Sequence, residues 1–241
     1  MSAPRKENSV AIIGMSGIFP EADSLQEFYT NLRTGKDSVR NMPRERIINS
    51  TINPHLDYQV IGVLDRVDLF DHAFFNISKK EAECMDPGQR LLLQLACHAI
   101  EDSGQSLQEL FGSNTGVYLG GGADSKYRQL IEEFDPTIVT GNLGAMAAGR
   151  IAYYFDFNGP ALMINTACSS SLVAVHQACQ AVLSEEVDYA LAGGMHVLLN
   201  FPTKNAEKKL GVEADDGKCK TFDAKANGTG GGEGGLSLIH I

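Results

Sequence analysis

The sequence predicts an α/β protein, and two observations predict it. Short, mainly apolar runs of buried-strand type recur at Val10–Gly14, Thr115–Leu119, Leu162–Ile164 and Tyr189–Val197. Between them lie helical stretches with their own start signals: Ser24 with Glu27, Ser78 with Glu81, and Asp86 followed by Pro87. With 241 residues the chain can bury a substantial core, as one large domain or two small ones.

Taken in order, Val10–Gly14 is a buried strand closed by glycine, and the GMSG after it lacks the third glycine of a dinucleotide fingerprint. Ser24 opens a helix with Leu25, Phe28 and Leu32 as its buried stripe and Gly35 as its stop. Arg33, Lys36, Arg40, Arg44 and Arg46 form a basic cluster that reads either as a docking patch for an acidic protein or as a solvated loop. Residues 47–75 are irregular, with Phe70, Phe74 and Phe75 inserted into the core. Ser78 caps a short helix. Asp86-Pro87 restarts it, and Leu92, Leu95, Ala96 and Ala99 face the core until Ser103-Gly104. A strand at Thr115–Leu119 runs into Gly120-Gly121-Gly122, and Asn142 to Tyr154 reads as one tightly packed helix. The glycine-rich Gly228–Gly235 contains a G-x-G-x-x-G, but no helix follows, so nucleotide binding is rejected.

The stretch Ala161–Leu183 concentrates the chemistry. Its apolar run breaks at Asn165-Thr166, Cys168 follows, and after three serines Leu172, Val175, Cys179 and Val182 mark one face of a helix that reads as buried on most sides. Strand, sharp turn, helix places Cys168 beside the free N–H groups that begin a helix. The positive end of a helix favours a thiolate, and backbone donors there can hold an oxyanion during acyl transfer. The plainer alternative is that Cys168 is one more small buried residue.

Composition removes other classes. A net charge of −10 disfavours general attraction to nucleic acid or anionic membrane. No run approaches the apolar length of a membrane span, and the polar MSAPRKENS start lacks the core of a signal peptide. Cys84, Cys97, Cys168, Cys179 and Cys219 are odd in number and without close C-x-x-C pairs, which argues for a reducing cytoplasm over a disulfide framework or a zinc site.

TACSSSL at Thr166–Leu172 resembles the nucleophile signature of β-ketoacyl synthases, the condensing enzymes of polyketide and fatty-acid assembly. Four further segments resemble the same domain in the same order: VAIIGMSGIFPEA at Val10–Ala22, MDPGQRLLLQ at Met85–Gln94, AGRIAYYFDFNGPA at Ala148–Ala161 and DGKCKTFDAKANGTGGGEG at Asp216–Gly234. The flavour is that of a modular polyketide synthase. The resemblance implies a thiolase-like layered α-β-α-β-α fold of two related halves, each with a five-stranded sheet. Residues 1–241 would be its N-terminal part, with residues 1–9 a flexible start and 236–241 a truncated strand or a vector-derived tail.

By the same resemblance Cys168 is the catalytic nucleophile, and acyl and malonyl thioesters come from an acyl carrier protein. The region around Ala161–Asn165 lies near the contact of a homodimer, and neither metal nor redox cofactor is needed. The family's two downstream histidine segments, one resembling HGTGT, have no match in residues 1–241, and no role carries over onto His176, His196 or His240. Gly88, Asn165 and the polar residues 202–219 depart from the family pattern. The rivals are a non-catalytic structural or dimerisation module of the same ancestry and a thiolase-like acyltransferase acting on coenzyme A esters. Half a layered fold also leaves exposed a face that the other half would bury.

Overall fold

A computed structural model describes residues 9–43, 46, 60–121, 126–131, 135–199, 212 and 214–241. Its centre is a five-stranded mixed sheet in the order β1-β7-β6-β4-β5. The strands are β1 (Ile12–Ile18), β4 (Thr115–Gly120), β5 (Ala161–Ile164), β6 (Tyr189–His196) and β7 (Gly234–His240). β4, β5 and β6 run parallel, while β7 lies antiparallel between β6 and β1. A short ribbon of β2 (Val39–Arg40) and β3 (Ile61–Gly62) stands apart.

Side-chain alternation along the strands sorts the two faces. Val117, Leu119, Leu191 and Ile239 point to one face, where they meet Leu92, Leu93, Ala96, Ile100, Ile151 and Phe155. These come from α3 (Pro87–Asp102) and α6 (Met146–Tyr154), with Phe155 as the C-cap of α6. Tyr118, Ala190 and Ala192 point to the other face, against Ala174, Ala178 and Ala181 of α7 (Ser170–Leu183). Alanine on both sides lets α7 lie close on the sheet.

Local signals hold where they are purely local. Ser24 Oγ accepts the Glu27 N–H at 3.2 Å, and α1 (Leu25–Thr34) ends at Gly35 in the left-handed region, φ 66°. Ser78 caps α2 (Lys79–Cys84) in the same way. Asp86 Oδ1 accepts from the N–H groups of Gly88 and Gln89, so the glycine in the first turn of α3 leaves that helix intact. Ser106 and Glu109 form a reciprocal capping box on α4 (Leu107–Leu110).

Other expectations are corrected. The Leu25–Phe28–Leu32 stripe is not buried. α1 packs on the edge strand β1, where Phe28 stacks on Phe19 at 4.0 Å while Leu32 is 63 % exposed. Of the three phenylalanines, Phe75 is buried and Phe70 packs against the core, but Phe74 is 52 % exposed. The helix read over Asn142–Tyr154 is two helices, α5 (Thr137–Asn142) and α6, broken at Leu143–Ala145. Inside α5, a Cβ on Gly141 would lie 2.5 Å from Cys84 O, so the glycine lets α5 press against the end of α2.

The basic cluster is mostly spent on internal pairs. Arg40 pairs with Asp65, Lys36 with Glu21, and Arg33 lies over the Tyr29 ring, while Arg44 falls outside the described residues. Arg46 is neither docking patch nor solvated: its side chain is 9 % exposed and holds Glu233, which is 0 % exposed. That pair pins the end of the glycine-rich loop, where the Gly62 N–H donates to Gly231 O at 3.1 Å and the Glu233 N–H donates to Gly62 O at 2.7 Å. Residues 236–240 belong to a strand paired on both sides. Residues 1–8, Gly122 and most of 202–213 lie outside the described set.

Candidate active site at a strand-to-helix turn

β5 ends at Ile164, α7 begins at Ser170, and the six-step connection between them carries Cys168 on a single 3₁₀ turn, Ala167–Ser169. The turn is sharp because Ala167 is held left-handed, φ 55°. An L-residue pays of order 1–2 kcal/mol for that region, so something must hold it there. Asn165 Oδ1 accepts the Ala167 N–H at 3.2 Å, an Asx turn. Ser170 Oγ accepts the Thr166 N–H at 2.9 Å and donates to Ala167 O at 2.7 Å, tying both sides of the strained residue. Ser169 Oγ donates to Thr166 O at 2.8 Å.

These bonds employ the N–H groups of Thr166, Ala167, Ser169 and Ser170, and that of Cys168 is not among them. Cys168 itself is exposed. Ser169, at the N-cap position, makes no side-chain cap, so the positive end of the 14-residue α7 stays open toward the turn. A thiol with open donors beside it can attack a carbonyl and stabilise the oxyanion that results.

Two glycines set the height of the turn. A Cβ on Gly120, at the end of β4, would lie 2.5 Å from Ser171 N and 2.6 Å from Ser171 Cα. A Cβ on Gly194, its partner in β6, would lie 2.5 Å from Ser171 Oγ. The first turn of α7 therefore rests directly on the ends of the two central parallel strands. The glycine pair of β6 carried no such meaning in the sequence; its parallel register with Gly120 supplies it.

The helix face read as buried is only partly covered, and Val175 and Val182 pack at the margin of the sheet-side cluster. Ser170, Ala174, Ala178 and Ala181 face the sheet, Val175, Cys179 and Val182 are half-buried, and Leu172 is 77 % exposed. Periodicity picks out the larger side chains, whereas the sheet takes the small ones beside them, and Leu172 is left outside.

The remaining thiols and the histidines stand apart. Burial, with the Glu101 carboxylate beside it, pushes the Cys97 thiol up to about 11. Cys219 is exposed, and its Sγ accepts the Gly230 N–H at 3.1 Å. His176 is exposed on α7, and His196, exposed at the end of β6, is bonded through Nδ1 to Gly232 O at 3.0 Å. His240 is buried against Ala190 O, at the opposite end of the sheet from Cys168, and burial holds its imidazole below the usual range. None joins the cysteine. A cavity of about 110 Å³ lies at the ends of β4 and β5, bounded by Gly120, Gly121, Met163, Gln89 and Asn142. It is smaller than the ~300 Å³ at which ligand pockets begin. The clefts of about 650, 540 and 490 Å³ are not lined by Cys168. Among the described residues, no helix is long and apolar enough to cross a membrane.

A mixed sheet between helix layers, with an exposed thiol on a strained turn at an open helix end, defines a condensing-enzyme-like α/β protein. Residues 7–240 match the family "Beta-ketoacyl synthase, N-terminal domain", and the chain belongs to that family. It is 38 % identical over 242 residues to "Polyketide synthase PksL" of Bacillus subtilis, covering 98 % of this chain and 5 % of that protein. To "Non-reducing polyketide synthase dbaI" of Emericella nidulans it is 41 % identical over 233 residues, covering 95 % of this chain and 9 % of the other. The solved "Ketosynthase from module 6 of the bacillaene synthase from Bacillus subtilis 168" superposes with a TM-score of 0.81 at 38 % identity. That match covers 96 % of this chain and 39 % of the ketosynthase. The chain thus spans a small part of its curated relatives and well under half of a ketosynthase, and the thiolase-like half-fold expected from sequence is what it forms.

Proposed function

We propose that this chain carries the acyl-accepting part of a β-ketoacyl synthase of polyketide type, with Cys168 as nucleophile. The observation that carries the reading is the exposed Cys168 on the left-handed Ala167 turn, at the uncapped start of α7. The Cys168 sulfur attacks the carbonyl carbon of a thioester presented by an acyl carrier protein. In this reading the Cys168 N–H donates to the oxyanion, and collapse breaks the carrier's C–S bond, the leaving thiolate taking up a proton. In the complete domain a malonyl-carrier thioester then loses carbon dioxide, and its carbanion attacks the Cys168 thioester, freeing the thiol. The two histidine segments that the family uses for that second step have no match in residues 1–241, and the reading for these residues is the loading half-reaction. The free cysteines fit work in a reducing cytoplasm.

Incubation of the folded chain with a small acyl thioester, read by intact mass, tests this. A single adduct is expected in the parent and in Cys219→Ala, and none in Cys168→Ala. Cys97 is expected to stay unmodified below pH 9, because its thiol loses its proton only near 11. Absence of any adduct, with Cys168 inert to a simple alkylator, would sink the enzymatic reading for this chain.

The second reading, a dimerisation module without turnover, has its own observation. β5 is an edge strand with Leu162 46 % exposed, and an unpaired edge is a template for a second copy. A homodimer through β5 is compatible with either reading. Sedimentation as a dimer, converted to monomer by Leu162→Lys, is expected; a monomeric parent removes the contact.

A further inference from the structure

Two charged side chains are buried among the described residues, Glu233 and Arg90. Glu233 is neutralised by Arg46. Arg90, only 8 % exposed, forms no ion pair, and its Nε is buried with no hydrogen-bond partner. Its guanidinium lies 5.7 Å from the centroid of the Tyr127 ring. It also sits in the first turn of α3, where the helix's own field disfavours a cation. The Asp86 carboxylate nearby is already spent on the Gly88 and Gln89 N–H groups.

The Asp68 carboxylate is close enough to feel the Arg90 charge, but both its oxygens are held by Arg66. A buried guanidinium that no carboxylate hydrogen-bonds is costly and leaves donor capacity for an incoming acceptor. Arg90 lines an open cleft of about 490 Å³. The cleft's other charges are engaged elsewhere: Asp65 with Arg40, Asp68 with Arg66, Arg46 with Glu233. Its remaining walls are apolar, formed by Val67, Pro87, Leu130, Leu199 and the Tyr127 ring.

We propose that this cleft is an anion site, in which the Arg90 guanidinium takes the oxygens of a phosphate monoester whose organic body lies on the apolar wall. The planar fork of arginine matches phosphate oxygens, and the apolar lining favours an ester over the free ion. The site does not use Cys168, so it stands independently of the loading reaction.

Calorimetric titration of the folded chain with phenyl phosphate and with inorganic phosphate tests it, using the parent, Arg90→Met and Arg90→Lys. Saturable binding of phenyl phosphate is expected, with inorganic phosphate weaker. Loss of the guanidinium should weaken the ester about 10- to 100-fold, the range for a charge-assisted bond, and Arg90→Lys should fall between. Without phosphate, Arg90→Met should melt at or above the parent temperature, since an unpaired buried charge is gone. A purely structural arginine gives the reverse, a lower melting temperature. That result, absence of saturable binding to the parent, or equal binding to parent and Arg90→Met, each overturns the proposal. Tight binding of inorganic phosphate with no gain for the ester assigns the site to the free ion and overturns the apolar-wall part.

Discussion

Glu233→Gln is expected to destabilise the chain by about 3–5 kcal/mol, although it changes one atom. The reason lies in four hydrogen bonds. Glu233 Oε1 accepts from Arg46 Nη2 at 2.7 Å and from Leu198 N at 2.8 Å. Oε2 accepts from Arg46 Nη1 at 2.9 Å and from Leu64 N at 2.8 Å. Every partner is a donor, so whichever way a glutamine is turned, its NH₂ group faces two N–H groups. The Arg46 charge is left buried and unbalanced as well. Since the carboxylate joins residues 46, 64, 198 and 233, the β3 ribbon, the end of β6 and the start of β7 should loosen together. Urea unfolding reads the loss. Glu233→Asp, which keeps the charge but shortens the reach, should lose less than Glu233→Gln; the opposite order would show that shape and not charge holds this junction.

Gly120→Ala is expected to cost about 1–3 kcal/mol or more and to slow alkylation of Cys168 in the folded chain. The added methyl would lie within 2.7 Å of Ser171 N, Ser171 Cα and the Ser170 carbonyl carbon, all backbone atoms that no rotamer change can clear. The start of α7 must lift, and the Asn165, Ser169 and Ser170 bonds that hold Ala167 left-handed lengthen with it. Gly149→Ala is the contrast. It lies inside α6 with nothing within 4 Å of its Cβ position, so it should gain about 0.5–1 kcal/mol of helix propensity. Equal effects of the two substitutions on urea midpoint would mean that α7 does not rest on the strand ends.

Features that depend on a few neighbouring residues are legible along the chain. Caps at Ser24, Ser78 and Asp86, the stop at Gly35, and the strand–turn–helix around Cys168 are set by hydrogen bonds and sterics within one turn of chain, so their signals are local. Cys168 was legible for that reason, and through the five family-like segments. The division of labour among the serines was not legible. Ser170 bridging Thr166 and Ala167 requires the left-handed turn to exist, and spacing does not show φ.

Long-range packing settles which side of α7 turns to the sheet. The small face won because Gly120 and Gly194 bring the helix so near that alanine fits and leucine does not, which leaves Leu172 in solvent. It decided too that Arg46 meets Glu233, a pairing across 187 residues in which neither residue has a local pattern to announce it. Close approach and long-range charge pairing are properties of the packed chain, and a linear pattern carries neither.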